Sequence, residues 1–452
     1  MSDVDPNVLS EIDRHRVDAE AAEEATLWRE AVDAYESALT AIARTSAAGG
    51  LEEGALLTAL GRCYWNLSEA RTAWRTLRRA ISIAQDNADG PAQARATIEI
   101  LRVWGPPERH RQMAEDALAA VGDEDVYLQS RLLMEMGWRE QAAGEETSAK
   151  YEQAMALAEE HGFEDILASR VQQRAWRAID AGRLDEGIAL FEEVHETCAR
   201  LKLHNVAAGC LRGAGFNLME AGRIDEGNDV AKRSVAYAVD AHLLFDAQLA
   251  LMDVIGVAYA RGDYDECQRL LDDSPGDSDF RGDLYRMWIA EARGDTDGAL
   301  RLMVDPDRGG KTPTAVGQIH AAAAGTLYRA GKHDAAQAAL AAWFAVDRDD
   351  RDESLWEESA PLVDCLVALG DDDQVRRVHA MFKRRDERAG YAPRFSVLQG
   401  RATDPVRGAI SARLGMADEA TSFFQDGIAF CEDQRLLADL QRCHQGLTAL
   451  GG

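Results

Sequence analysis

The chain has 452 residues and a formal charge of −29, with 79 acidic and 50 basic side chains. Its 46% apolar and 29% charged residues can bury a large core and keep the surface in water, and its length admits two or three domains or one long repeat array. The acidity argues against direct contact with nucleic acid or anionic lipid, whose affinity comes from neutralising phosphate, and no stretch approaches the ~18 apolar residues of a membrane span.

The opening residues, MSDVDPNVLSEIDRHRVDAE, lack the basic and apolar regions of a signal peptide. Residues 1–20 read as a lead-in. The seven cysteines (63, 198, 210, 267, 365, 431 and 443) are scattered and odd in number, unlike a disulfide framework. Together these features predict a cytoplasmic protein.

From residue 21 onward the apolar spacing is helical, broken at intervals by turn signals. The first turns fall near Leu27-Trp28-Arg29-Glu30-Ala31, near Ser68 as an N-cap, at Gly105-Pro106-Pro107, and at Gly144 with Thr147 as a cap. Basic clusters at Arg71, Arg75, Arg78 and Arg79, and at Lys383, Arg384 and Arg385, have the spacing of solvated helix faces.

Beyond these a glycine with an aspartate three residues later recurs seven times. The pairs are Gly182/Asp185, Gly222/Asp225, Gly262/Asp265, Gly294/Asp297, Gly331/Asp334, Gly370/Asp373 and Gly415/Asp418. Successive glycines lie 40, 40, 32, 37, 39 and 45 residues apart, the period of a helical solenoid. The glycine suits a left-handed helix end and the aspartate the N-cap of the next helix. Small residues precede the turns, as in Leu133-x3-Gly137, Val171-x3-Ala175 and Leu211-x3-Gly215, and let the two helices of a hairpin approach closely. The count is about eleven hairpins, placed as N-terminal and central repeats over 21–273 and C-terminal repeats over 274–452 of one continuous array. The loops Ser274-Pro275-Gly276-Asp277 and Asp305 to Lys311 lie between units.

The turns Gly182-Arg183-Leu184-Asp185-Glu186, Gly222-Arg223-Ile224-Asp225-Glu226, Gly262-Asp263-Tyr264-Asp265-Glu266-Cys267 and Gly415-Met416-Ala417-Asp418-Glu419-Ala420 resemble the turn of a tetratricopeptide repeat. Leu211, Gly215 and Leu218 match that family's large, small and large positions. The resemblance spans roughly residues 20 to 450, with longer units than the usual 34 residues and few inter-repeat prolines. Long-period arrays of this kind are similar to the repeat regions of large bacterial transcriptional regulators and multidomain cyclases, and Gly400 to Gly408 adds to that likeness. It implies an all-α, right-handed superhelical solenoid that displays a concave face, in a chain with no room for an added NTPase, cyclase or DNA-binding domain.

Motifs of chemistry are sparse. Gly309-Gly310-Lys311-Thr312 has Asp305 where a phosphate loop needs its first glycine, and Pro313 where the helix should run on. Gly213-Ala214-Gly215 lacks the third glycine of a dinucleotide loop. His195/Cys198, His204/Cys210 and Cys443/His444 lack convergent ligand spacing, and no GxSxG elbow occurs. The expectation is a non-enzyme with no cofactor and no metal.

Six residues before the turn glycines stand Trp138, Trp176, Phe216, Gly256, Trp288, Gly325 and Asp364. In the family that these residues resemble, this position faces the concave groove. With Met134, Gln172, Arg212, Met252, Tyr259 and Tyr328 on the same face, the ladder suits an apolar peptide or an amphipathic helix, and Arg212 a ligand carboxylate. The same side chains suit a tight core equally well. Both placements are open at this level. The expected function is a protein-interaction scaffold that binds a peptide or protein partner, with homo-oligomerisation possible. The alternative is a ligand-sensing regulatory module whose output domain lies on a partner.

Overall fold

The computed structural model describes residues 6–45, 49–67, 69–103, 107–142, 148–274, 280–305, 313–346, 355–389 and 393–451. The expected features at Ser68, Gly105-Pro106, Gly144, Thr147, 275–277 and 306–312 lie outside them. Among the described residues nearly all regular structure is helical, with one short antiparallel strand pair.

By compactness the chain forms two units. The first holds Met1–Gln173, Glu196–Ala207 and Ala238–Phe245, and the second holds Arg174–His195, Ala208–Tyr237 and Asp246–Gly452.

In the first unit α1 (Pro6–Glu24) packs on α2 (Trp28–Ile42), α3 (Leu51–Asn66) on α4 (Ala70–Asp86), α5 (Gly90–Arg102) on α6 (Pro107–Val121), and α7 (Val126–Ala142) on α8 (Ala149–His161). The expected lead-in is therefore mostly helix, with Ile12 and Ala19 buried against α2. Close approach is set by missing side chains. A Cβ on Gly137 would lie 2.7 Å from the Tyr151 backbone nitrogen, so α7 and α8 touch backbone to backbone there. The first helices of successive pairs stand side by side, α3 next to α5 and α5 next to α7.

Helices α9 (Glu164–Asp180), α10 (Leu184–Arg200), α11 (His204–Glu220), α12 (Ile224–Asp240) and α13 (Leu244–Ala260) each give residues to both units. In the second unit α13 is followed by α14 (Tyr264–Asp272), α15 (Phe280–Ala292), α16 (Thr296–Arg301), α17 (Pro313–Arg329), α18 (His333–Ala345), α19 (Leu355–Leu369) and α20 (Asp372–Ala389). Two strands follow, β1 (Phe395–Ser396) and β2 (Arg401–Ala402), joined through a 3-10 turn at Val397–Gln399. Then come α21 (Asp404–Arg413), α22 (Ala417–Gln434) and α23 (Leu437–Gly451).

Six of the seven turn glycines are left-handed, with φ between 72° and 93°. Gly370 is not among them. The aspartates sit two residues deeper than expected. The helices begin earlier, so Asp185, Asp225, Asp265, Asp334 and Asp418 fall in the first turn, where they favour the positive helix end. The cap position is one residue after the glycine. Asp263 caps Glu266 N–H and Asp295 caps Gly298 N–H, while Asp371 and Gln374 form a reciprocal capping box. The first-turn aspartates also pair along the array, Asp185 with Arg223, Asp225 with Arg261 and Asp265 with Arg293. Their carboxylates are more than four-fifths exposed, so each pair contributes only about 0.2–1 kcal/mol.

Candidate functional site

The inner faces of the two units differ, and the residues of the aromatic ladder divide between them. In the second unit the chain covers its own inner face with residues 393–403. Phe395, Val397 and Ala402 are fully buried, in one cluster with Met219, Ile224, Val257, Phe430 and Leu436. The backbone of this segment is tied down: Arg394 N–H donates to the Glu220 carbonyl, and the Tyr285 hydroxyl donates to the Leu398 carbonyl at 3.3 Å. Gly256, at a groove position of the ladder, has no side chain to spare. A Cβ there would meet the Val397 carbonyl oxygen at 2.6 Å and the Tyr285 hydroxyl at 2.8 Å.

The segment also delivers a charge. Arg401 lies 5.2 Å over the Tyr259 ring, donates to the Tyr259 hydroxyl at 3.1 Å, and pairs with Asp439, a carboxylate 1% exposed that also accepts the Ala402 N–H at 2.7 Å. Nearby, Arg329 joins Glu291 to Asp364, and Asp364 also takes Arg442. These ions stand on α15, α17, α19 and α23 and tie the four helices together.

Three ladder residues are core here. Met252, Tyr259 and Trp288 are 5%, 5% and 4% exposed and pack with Leu251, Ile255 and Tyr285. Phe216 is half-buried under the Arg212 guanidinium, 5.9 Å away. Arg212 is taken by Asp253, with bonds of 2.8 and 3.3 Å to a carboxylate that burial pushes above its usual pKa. Trp176 is 36% exposed and meets Phe191 edge to face. Tyr328 is half-buried beside His333. The cluster at Lys383, Arg384 and Arg385 is solvated only in part, since Arg385 pairs with the buried Glu220 at 3.1 Å.

The first unit holds a cavity of about 1230 Å³, lined from α1 to the start of α11. Met134, Trp138 and Gln172 all line it, Met134 at 5% exposure with most of its side chain in a core cluster with Leu133, Tyr151, Met155 and Ile166. Apolar wall comes from Trp28, Ile83, Ile98 and Met134. Between these lie ion pairs from neighbouring helices. Arg62 of α3 bridges Glu23 of α1 and Glu99 of α5, and Arg131 of α7 bridges Glu135 and Asp165. Asp165 also accepts the Tyr127 hydroxyl at 2.8 Å. Glu99 accepts a second arginine, Arg102, and the nearby guanidinium charges hold its carboxyl below the usual range despite burial. Asn66 at the end of α3 accepts from Asn205 at the start of α11 (3.0 Å), and Trp65 packs on Phe245 at 5.2 Å, so helices far apart in sequence meet at one edge of the unit.

Under the cavity wall His110 is 3% exposed, near the backbone of Ile100 and Val103 without a well-formed hydrogen bond. Burial, and then the charge of Arg139, press its pKa down to about 4. The folded value lies below the unfolded value of about 6.5, so this contribution to stability is whole above pH ~6.5 and is lost as the pH falls toward 4. Urea midpoints at pH 7 and 4.5 should therefore converge in His110→Leu relative to the unchanged chain. An equal drop in both would remove His110 from the account.

Among the described residues no cluster of metal-ligating side chains and no helix long and apolar enough to cross a membrane occurs. All seven cysteines are free and buried. No protein-family model matches the sequence, and no curated protein matches it. Solved structures do. The Rap protein complexed with competence and sporulation factor is 10% identical, with 77% of this chain and 76% of that chain covered and a TM-score of 0.34. The P58(IPK) TPR domain is 12% identical over 97% and 98% of the two chains, with a TM-score of 0.27. Yeast Tom70 is 10% identical over 98% and 96%, with a TM-score of 0.26. The architecture is tetratricopeptide-like. In this chain that statement rests on the hairpins themselves, on the left-handed glycine between helices and on small residues where two helices touch. The tetratricopeptide-like register accounts for the position of every ladder residue on a first helix. It does not separate those that face a cavity from those that face residues 393–403.

Proposed function

We propose that the chain is a non-catalytic binding module that takes a short peptide segment of its partner in the cavity of the first unit. The observation that carries this reading is the contrast between the two units. One is filled by the chain's own extended segment, and the other holds a cavity of about 1230 Å³. That volume exceeds the ~300–1,000 Å³ typical of small-molecule sites and suits a segment of several residues. The half-buried Trp138, backed by the core residue Met134 and flanked by Gln172, supplies an anchor for an apolar side chain and an amide for a peptide backbone.

A second reading, the sensing module, draws on the contact of Asn66 with Asn205. A ligand that displaced it would change how α3 meets α11, and that change could be read by a partner.

The test uses a synthetic pool of hexapeptides, randomised over Ala, Leu, Phe and Ser, and the full chain. After gel filtration the unchanged protein should carry peptides, and Trp138→Ala should carry at least about tenfold fewer, the loss of one good anchor. Trp176→Ala, outside the cavity, should carry as many as the unchanged protein. No retention by the unchanged protein, or equal retention by Trp138→Ala, would sink the proposal.

A further inference from the structure

The basic cluster of α4 stands out in so acidic a chain. α4 carries four arginines and, before Asp86 at its last residue, no carboxylate. Arg79 pairs with the buried Glu53 of α3. Arg71, Arg75 and Arg78 are exposed and make no ion pair or hydrogen bond among the described residues. The same holds for Arg109 and Arg111 on α6, on either side of the buried His110. The two helices meet here, with the Trp74 ring 5.3 Å from that of His110. Five guanidiniums therefore stand within a turn of one aromatic contact, in a chain whose net charge is −29. Exposed arginines such as Arg223, Arg233 and Arg269 each hold a carboxylate.

The patch lies away from the cavity. At about 100° per residue, Arg71, Arg75 and Arg78 fall within about 60° of one another around α4, and its cavity-lining residues Ala80, Ile83 and Ala84 fall on the opposite side. Like charges three and four residues apart on a helix repel, as Arg71 does Arg75 and Arg75 does Arg78. No carboxylate on α4 relieves that repulsion, and one supplied from outside would.

The extent of the patch sets the kind of partner. From Arg71 to Arg78 the stripe is ~10 Å long at about 1.5 Å per residue. The second helices of the pairs before and after are acidic on their exposed sides, with Glu30 and Asp33 on α2 and Glu152, Glu159 and Glu160 on α8. A nucleic acid or an anionic membrane extends far beyond the stripe and would be repelled by those carboxylates. A segment with two or three carboxylates fits within it. From this we infer that the outer side of α4 and α6 docks a short acidic segment of a partner protein. Arginine suits the task, because its planar fork takes a carboxylate through two parallel bonds. The inference does not rest on the peptide reading above.

The probe is octaglutamate with an N-terminal fluorescein and a C-terminal amide, titrated with the full chain at low salt, where exposed charges are least screened, and followed by anisotropy. Octaglutamate should bind, and octaglutamine with the same label should not. Changing Arg71, Arg75 and Arg78 together to glutamine should weaken binding by about tenfold, the combined effect of three exposed pairs, and Arg109→Gln with Arg111→Gln should weaken it less. Lysine at the first three positions should keep most of the affinity. Arg174→Gln with Arg177→Gln, exposed arginines of α9, and Trp138→Ala in the cavity should bind as the unchanged chain does. Circular dichroism should show every variant folded. No binding of octaglutamate, or equal binding by the triple glutamine variant, would overturn the inference and leave the peptide reading standing. So would tighter binding of an oligothymidylate of equal charge, which would assign the patch to nucleic acid.

Discussion

Alanine at Gly256 should lower the stability of the second unit by about 2–3 kcal/mol, seen as a lower urea midpoint, although alanine is the better helix former. The added Cβ would stand 2.6 Å from the Val397 carbonyl oxygen and 2.8 Å from the Tyr285 hydroxyl. Neither atom can yield cheaply. Val397 is fully buried, and the Tyr285 hydroxyl is tied to the Leu398 carbonyl. The segment 393–403 must lift, and overpacking of this kind costs about 1–3 kcal/mol before the lost bond is counted. Gly256→Leu should cost more and expose residues 393–403 to hydrogen exchange. Gly209 is the control. It too lies inside a helix, but a Cβ there meets nothing within 4 Å, so Gly209→Ala should stabilise by about 0.5–1 kcal/mol. If both alanines stabilise, residues 393–403 do not lie against α13.

The second large effect concerns Asp439. Its carboxylate is 1% exposed and serves two groups, the Arg401 guanidinium and the Ala402 N–H. Removing one member of a buried pair leaves the other charge uncompensated, and such changes cost about 3–5 kcal/mol. Asp439→Ala should show that loss in the denaturation midpoint. Asp439→Asn keeps an acceptor for the Ala402 N–H and loses the charge alone, so its cost should be smaller by the ~1–3 kcal/mol of an unmet buried donor. A double change, Arg401→Met with Asp439→Leu, should recover much of the deficit, since well-packed apolar pairs replace buried ions without great loss. A midpoint unchanged in Asp439→Ala would mean that water already reaches the pair.

The turn glycines carried most of the fold in the sequence because they act locally. A left-handed residue between two helices favours glycine, although Thr26, Ala88, Lys202, His242 and Arg435 take the same conformation at other helix ends and carry no such signal, and the small residue at Gly137 or Gly215 is dictated by the neighbouring helix of the same hairpin. The aspartates lie two residues past the cap for a local reason as well. An acidic residue is favoured both at the cap and in the first turn, and spacing alone does not distinguish the two. Gly370 is an exception that its sequence shares with the others, and its helix starts from the capping box at Asp371.

What stayed hidden was non-local. Residues 393–403 form strands two residues long, with no period to read. Their buried partners, from Glu220 to Asp439, stand far away along the chain. Two signals pointed there all the same. The interval from Gly370 to Gly415, at 45 residues, is the longest, and Gly256 leaves a bare position in a ladder of aromatics. The ionic pairs of the cavity were equally unreadable, because Arg62 meets Glu23 and Glu99 across 39 and 37 residues. Arg212 resembled a ligand contact for the same reason: its partner Asp253 is 41 residues on.

On the proposed reading the first unit's cavity takes a ligand, while in the second unit residues 393–403 already fill the space beside α13. Hydrogen exchange along the whole chain, with and without the hexapeptide pool, tests that contrast most directly. Protection should rise at the cavity-facing turns of α3, α5 and α7, and α13, α15 and residues 393–403 should exchange as before. Protection that rose over α13 and α15 while the cavity helices stayed unchanged would contradict it.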